Sequence, residues 1–205
     1  MTTFLLIRHG AHDLLGNALA GRTRDISLNA CGREQAEALI ERIAGYRIEQ
    51  VYVSPRRRAL ETIAPFIARA HVPHDIEPGI DEIDFGTWSG RAFADLADDA
   101  EWHTWCERRS EASPPSGERI VQVQARAMTV VRGLRERHPA ATVALVSHGD
   151  VIKAVLANYL GLHLDHLERF DIAPASISIV EDTGEWAQVK LVNATPEAPP
   201  SPGAR

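Results

Sequence analysis

Residues 4–10 read Phe4-Leu5-Leu6-Ile7-Arg8-His9-Gly10, and a similar stretch returns at 143–149 as Val143-Ala144-Leu145-Val146-Ser147-His148-Gly149. Each begins with four consecutive apolar residues. Each therefore reads as a strand covered on both faces, as in the centre of a parallel sheet. Each ends in a histidine followed by a glycine. Ligands of open α/β sheets bind beyond the carboxyl ends of the strands, so both imidazoles are expected at one edge, where glycine lets backbone approach closely. Two unrelated histidines at strand ends would give the same local pattern, and the arginines separate the two readings. Arg8 adjoins His9, and Ser54-Pro55-Arg56-Arg57-Arg58 follows a third apolar segment, Val51-Tyr52-Val53. A guanidinium is a planar fork of donors that fits an oxyanion. Cations at a helix start oppose the macrodipole, so at least one of Arg56 to Arg58 should have an anionic partner.

Between these strands the pattern alternates with helices. Asn29 suits an N-cap for a helix over 30–44, with Ala36, Leu39, Ile40 and Ile43 on one face and Gly45 past its end. Pro55 suits the first turn of a helix running to Ala70, although Pro65 should kink or break it. A short extended piece lies around Ile76, and 81–90 reads as loop. Residues 91–116 read as a partly helical cap or insert. Its Trp102 and Trp105 either line a substrate cap or pack the insert onto the body, and packing is the commoner role. A long amphipathic helix through Val121, Ala125, Met128, Val131 and Leu134 stops before Pro139. Asp150 is placed to cap a helix through Leu160, with Gly161 beyond. Ile177–Val180 and Gln188–Val192 read as a hairpin turning at Thr183-Gly184. The expected architecture is a three-layer α/β/α sandwich with a mostly parallel central sheet and one antiparallel edge. One domain spans 1–193, and 194–205, rich in Pro, Ala, Gly and Ser, reads as a disordered tail.

Composition narrows the partners. The chain has 205 residues, 44% hydrophobic and 24% charged, with a formal net charge of −6. Such a balance argues against a dedicated nucleic-acid or membrane binder, but a local arginine cluster can still hold a small anion. Cys31 and Cys106 have no neighbours at zinc-ligand spacing. Free thiols in a reducing cytosol are the commoner reading of such a pair, and a disulfide stays open. No apolar run approaches membrane-spanning length, and the N-terminal segment reads as a strand rather than a signal peptide. The expected location is cytoplasmic.

With these segments placed, the sequence resembles the histidine phosphatase superfamily, the group that includes the cofactor-dependent phosphoglycerate mutases, over nearly the whole chain to about residue 193. Arg8-His9-Gly10 looks like its nucleophile signature. Ser54-Pro55-x-x-Arg58-Ala59-x-x-Thr62, Glu82-x-x-Phe85-Gly86-x-Trp88-x-Gly90 and Val146-Ser147-His148-Gly149 are similar to its other motifs, in the same order. Gly117-Glu118 is similar to its Gly-Glu turn before a long helix. One such motif is weak; four in order are strong. The resemblance implies a phosphoglycerate mutase-like fold and a phosphatase that needs neither metal nor cofactor. His9 is the implied nucleophile, passing through phosphohistidine, and Glu82 the implied general acid and base, its pKa raised by the bound phosphate. Arg8, Arg58, His148 (in protonated form), Arg22 and Gly149 are the implied substrate contacts, and the implied partner is a small phosphorylated metabolite. Asp81 and Asp84 read as solvated or loop-capping carboxylates.

The match lapses after Gly10. The family pattern continues with Glu-Thr and an Asn a few positions on, whereas this chain reads Ala11-His12-Asp13-Leu14-Leu15-Gly16-Asn17. His12 is then either a substrate-side donor or a loop histidine facing water. His71, His74, His103, His138, His163 and His166 read as surface residues. The alternatives to a small-molecule phosphatase are a mutase, a binding protein on the same fold, and a protein phosphatase. Mutases of the family are longer, with segments that shield the intermediate from water, which favours hydrolysis here. Oligomeric state, monomer or dimer, is not legible.

Overall fold

The computed structural model describes residues 1–23 and 25–195; of the expected 194–205 tail, Ala194 belongs to the last strand of the sheet instead, and the part from Pro196 onward lies outside the described residues. Six strands form one sheet: β1 (Thr2–Arg8), β2 (Ile48–Val53), β3 (His74–Ile76), β4 (Thr142–Ser147), β5 (Ile177–Asp182) and β6 (Ala187–Ala194). Their order is β3-β2-β4-β1-β5-β6. β1, β2, β3 and β4 pair in parallel, and β5 pairs antiparallel with both β1 and β6. The expected parallel centre and antiparallel hairpin are both present.

Helices α1 (Ala30–Ile43) and α2 (Arg57–Ala70) cover one face. There Leu39, Ile43, Ile63 and Phe66 pack on Leu5, Ile7, Val51, Val53 and Val146. Helices α5 (Ile120–Arg137) and α6 (Gly149–Leu160) cover the other, where Val123, Val131, Ile152 and Val155 meet Phe4, Leu6, Val143 and Leu145. The alternation of these strand residues between two cores is why the apolar runs are continuous. Two short helices, α3 (Phe93–Leu96) and α4 (Ala100–Glu107), lie within the insert. Trp105 is fully buried, and Trp102 stands edge-on to Trp88 at 5.5 Å, so both tryptophans serve packing.

Three local expectations change. Pro65 sits within α2 and the helix runs on. A proline in a helix interior costs about 3 kcal/mol, while burying Ile63 and Phe66 contributes roughly 1.5–3 kcal/mol each, so packing outweighs the missing hydrogen bond. Pro55 lies before the helix, with Arg56 as N-cap. Asp150 lies inside α6, whose N-cap is His148, and this frees its carboxylate for other partners. Gly161 does take the left-handed C-cap, at φ 63°, whereas α1 ends on right-handed Ala44 rather than on a left-handed glycine.

Candidate active site

Because β1, β2 and β4 run parallel, their carboxyl ends deliver His9, Ser54 and His148 to one edge. The His9 and His148 rings lie 5.1 Å apart between centroids. The chain after His9 is fixed from three sides. Gly10 N–H donates to Thr62 Oγ1 at 2.9 Å, Ala11 N–H donates to Gln35 Oε1 at 2.9 Å, and Asn29 N–H donates to the Ala11 carbonyl at 3.1 Å. Gly10 and Gly32 are obligatory at this crossing: a Cβ on Gly32 would stand 2.1 Å from the Ala11 oxygen, and one on Gly10 2.9 Å from the Gly32 oxygen.

His9 Nδ1 lies 2.8 Å from the Gly10 carbonyl, so the proton sits there and Nε2 carries the lone pair. Burial, followed by the Arg58 and Arg8 charges, holds its pKa well below the usual imidazole value. His148 is neutral for the same first two reasons. It is therefore not one of the cations around His9, contrary to the expectation of a protonated ring. Its Nδ1 lies 3.2 Å from Arg58 Nη2 and accepts from it, so Nε2–H donates to Ser54 Oγ at 2.7 Å. Ser54 Oγ–H in turn donates to Asp81 Oδ1 at 3.2 Å. Asp81 also receives the Arg56 fork at 2.8 and 2.6 Å. Asp81 is buried rather than solvated, and it does cap the loop, accepting from Glu82 N–H at 2.8 Å; it is also an anionic partner of the Arg56–Arg58 run, as Glu61 is for Arg57. Asp84 does cap a loop, accepting from Gly86 N–H at 2.9 Å.

Glu82 is buried, with Oε1 accepting from Ile83 N–H at 3.0 Å. Its Oε2 is 3.5 Å from His148 Nδ1 and 3.8 Å from Arg58 Nη2. Burial, then the Asp150 charge, pushes its pKa up to about 7, against the pull of Arg58. The elevation thus exists before any phosphate arrives. The Nε nitrogens of Arg8 and Arg58 are sealed from solvent without a partner. Arg8 lines the cavity beside His9, and the Arg58 charge also bears on His9, so the space at His9 is electropositive and suited to an anion. His9, Glu82 and His148 each offer an atom within 4.8 Å of the others, a grouping that could ligate a metal. The Arg8 and Arg58 charges bear on that same space and oppose a cation there.

The cavity has a volume of about 210 Å³ and is lined by the polar Arg8, His9, His12, Glu82 and Asp150 and by the apolar Leu15, Leu19, Phe85 and Phe93. Its roof is the 14–21 loop stapled to the insert. Ala18 bridges Ala92, Leu19 N–H donates to Arg91 O at 3.0 Å, and Phe93 N–H donates to Asn17 O at 2.9 Å. Asn17 therefore serves the roof and is exposed. Arg22 approaches from behind: its Nε donates to the Glu82 carbonyl at 2.8 Å and its Nη2 to Glu118 at 2.9 Å, which props the Glu82 main chain. Gly149 packs beside the Arg8 guanidinium. The sequence did not point to Arg109 of the insert, which pairs with Asp150 at 2.8 Å and with Glu168 at 2.9 Å. No local motif surrounds Arg109; only Asp150, directly after Ser147-His148-Gly149, carried a signal.

The model for the histidine phosphatase superfamily (branch 1) matches residues 4–195. The chain is 27% identical over 191 residues to an adenosylcobalamin/alpha-ribazole phosphatase of Escherichia coli, covering 92% of this chain and 94% of that one. It is 33% identical over 205 residues to the bifunctional protein Rv2228c of Mycobacterium tuberculosis, covering 95% of this chain but only 54% of that one. A phosphoserine phosphatase mutant from Entamoeba histolytica, solved with phosphoserine, superposes with a TM-score of 0.85 at 26% identity, covering 96% of this chain and 98% of that one.

Proposed function

The chain belongs to the histidine phosphatase superfamily, and on that footing we propose that it hydrolyses a small phosphate monoester through a phosphohistidine on His9. One observation carries this reading. A neutral imidazole, its Nε2 unprotonated, lines a cavity together with Arg8, and the Arg58 and Arg8 charges both bear on it. In the first step the Nε2 lone pair attacks phosphorus and the P–O ester bond breaks. Glu82, protonated, gives its proton to the leaving oxygen. In the second step water attacks phosphorus, its proton passes to the Glu82 carboxylate, and the P–N bond breaks to restore His9. Phosphoryl transfer depends on positioning and on stabilising charge, which Arg8 and Arg58 supply without a metal ion.

Pockets for drug-sized ligands run to about 300–1,000 Å³. A cavity of about 210 Å³ suits a phosphoryl group and a small part of its alcohol, with any larger remainder outside the roof. Relatives named for alpha-ribazole and phosphoserine fit that class. The test is a panel of phosphorylated metabolites with p-nitrophenyl phosphate as reference, run in EDTA. Inorganic phosphate should be released at an undiminished rate with the metal chelated. Loss of activity in EDTA, restored by a divalent ion, would instead make the His9, Glu82 and His148 cluster a metal site. Interconversion of 2- and 3-phosphoglycerate without phosphate release would make the enzyme a mutase.

Asp150 gives a pH prediction. Catalysis by the protonated Glu82 acid should fail as pH rises through about 7. The Asp150 charge is the second cause of that raised value, so Asp150→Asn should ease deprotonation and shift the alkaline fall in kcat/KM to lower pH. An unmoved limb would show that Arg109 already cancels the Asp150 charge at Glu82.

A further inference from the structure

Where the sequence leaves its family's pattern, the structure puts an imidazole into the cavity. His12 is only 3% exposed, its ring centroid is 5.2 Å from that of His9, and it lines the same cavity. A loop histidine facing water is therefore not what the fold contains. Its Nδ1 is sealed without a hydrogen-bond partner. A neutral imidazole carries one N–H, and an orphaned buried N–H is costlier than an orphaned lone pair. The proton accordingly sits on Nε2, the nitrogen left to meet the cavity. The main chain that carries the ring is fixed on both sides: Ala11 is held by Gln35 and Asn29, and Leu15 N–H donates to the His12 carbonyl at 3.0 Å.

The rest of the 12–17 segment offers the cavity no other polar side chain. Leu15 and Gly16 line it, while Asn17 is exposed, its Nδ2 at 3.4 Å from the Asp13 carbonyl. Burial and the neighbouring arginines keep His12 uncharged, holding its pKa down to about 4. It therefore adds a donor without repelling Arg8 or Arg58.

We propose that His12 is a substrate-binding residue, its imidazole N–H donating to an oxygen of the phosphoryl group held over His9. This assignment rests on the phosphatase reading above. It makes His12 a binding group: nucleophile and acid stay with His9 and Glu82.

Three variants separate a donor from a filler: His12→Ala, His12→Leu (which fills space without donating) and His12→Asn (which keeps a donor). The readouts are the competitive inhibition constant of inorganic phosphate, and KM and kcat for p-nitrophenyl phosphate. Loss of one hydrogen bond to a charged group should weaken phosphate binding and raise KM by about 10- to 100-fold in His12→Leu. The kcat value should change by less than about 3-fold, and His12→Asn should recover most of the affinity. If His12→Ala does not fold, the Leu and Asn pair still decides the question. Wild type inhibited by phosphate, with His12→Leu inhibited equally, would overturn the role of His12 alone. Wild type that neither hydrolyses the ester nor binds phosphate would overturn the phosphatase reading and this inference together.

Discussion

His9→Ala is expected to lower kcat/KM by at least about 10³-fold for every substrate, the scale on which removal of a nucleophile is felt. Neither neighbouring imidazole can take over. The His148 Nδ1 lone pair is already engaged by Arg58 Nη2 at 3.2 Å, and the His12 Nδ1 is sealed from the cavity. The fold should survive, because only the Gly10 carbonyl loses a partner. An orphaned buried group costs about 1–3 kcal/mol, and in a domain of this size each kcal/mol lowers Tm by roughly 2–4 °C. A fall beyond about 12 °C would therefore mean a disrupted site rather than a missing nucleophile. Brief mixing of wild type with radiolabelled ester, followed by alkaline quenching, should trap label on the protein. That label should be released by acid, as a phosphoramidate is, and should be absent from His9→Ala. A variant with near-normal rate, or wild-type label that resists acid, would remove His9 from the role.

The framework was legible because its signals are local. Four-residue apolar runs ending in His-Gly are strand, edge and site at once, and the structure brings both histidines within 5.1 Å. Signals that depend on distant partners were read less well. Asp150 resembled a cap, yet the helix begins one residue earlier and its carboxylate meets Arg109, 41 residues away in the chain. Arg22 is implied near the pocket by the return of the family pattern at Gly21-Arg22, and its Nε and Nη2 are engaged by the Glu82 carbonyl and Glu118, partners 60 and 96 residues away in the chain. Asp81, one residue from the predicted acid, reads as solvated or loop-capping, and it does cap the loop at Glu82 N–H; its burial under the Ser54–His148 pair, which spans residues 54 to 148, leaves no trace in local pattern. Pro65 failed as a helix breaker because the faces of Ile63 and Phe66, not the backbone bond count, decide α2.

Glu82→Gln should divide substrates by their leaving groups. An alkyl phosphate departs as a strongly basic alkoxide and needs the proton, so its kcat/KM should fall by about 10²–10⁴-fold, the usual range for general acid catalysis. p-Nitrophenolate leaves without help, so its first step should slow only several-fold. The second step is different, because water must still be activated against phosphohistidine. The variant should therefore release a burst of p-nitrophenol and then turn over slowly, having stopped as phosphoenzyme. The raised pKa gives a second signature. With the group held near 7, wild type carries comparable fractions of acid and carboxylate around neutrality, which suits a residue that donates in one step and accepts in the next. As pH rises through that value the acid is lost, so kcat/KM for alkyl phosphates should decline. Glutamine cannot titrate, so its much smaller kcat/KM should lack that decline. Equal slowing of aryl and alkyl phosphates in the first step, or an alkaline limb that persists in Glu82→Gln, would assign proton transfer to another group. Asp150, which lines the same cavity, would then be the first to test.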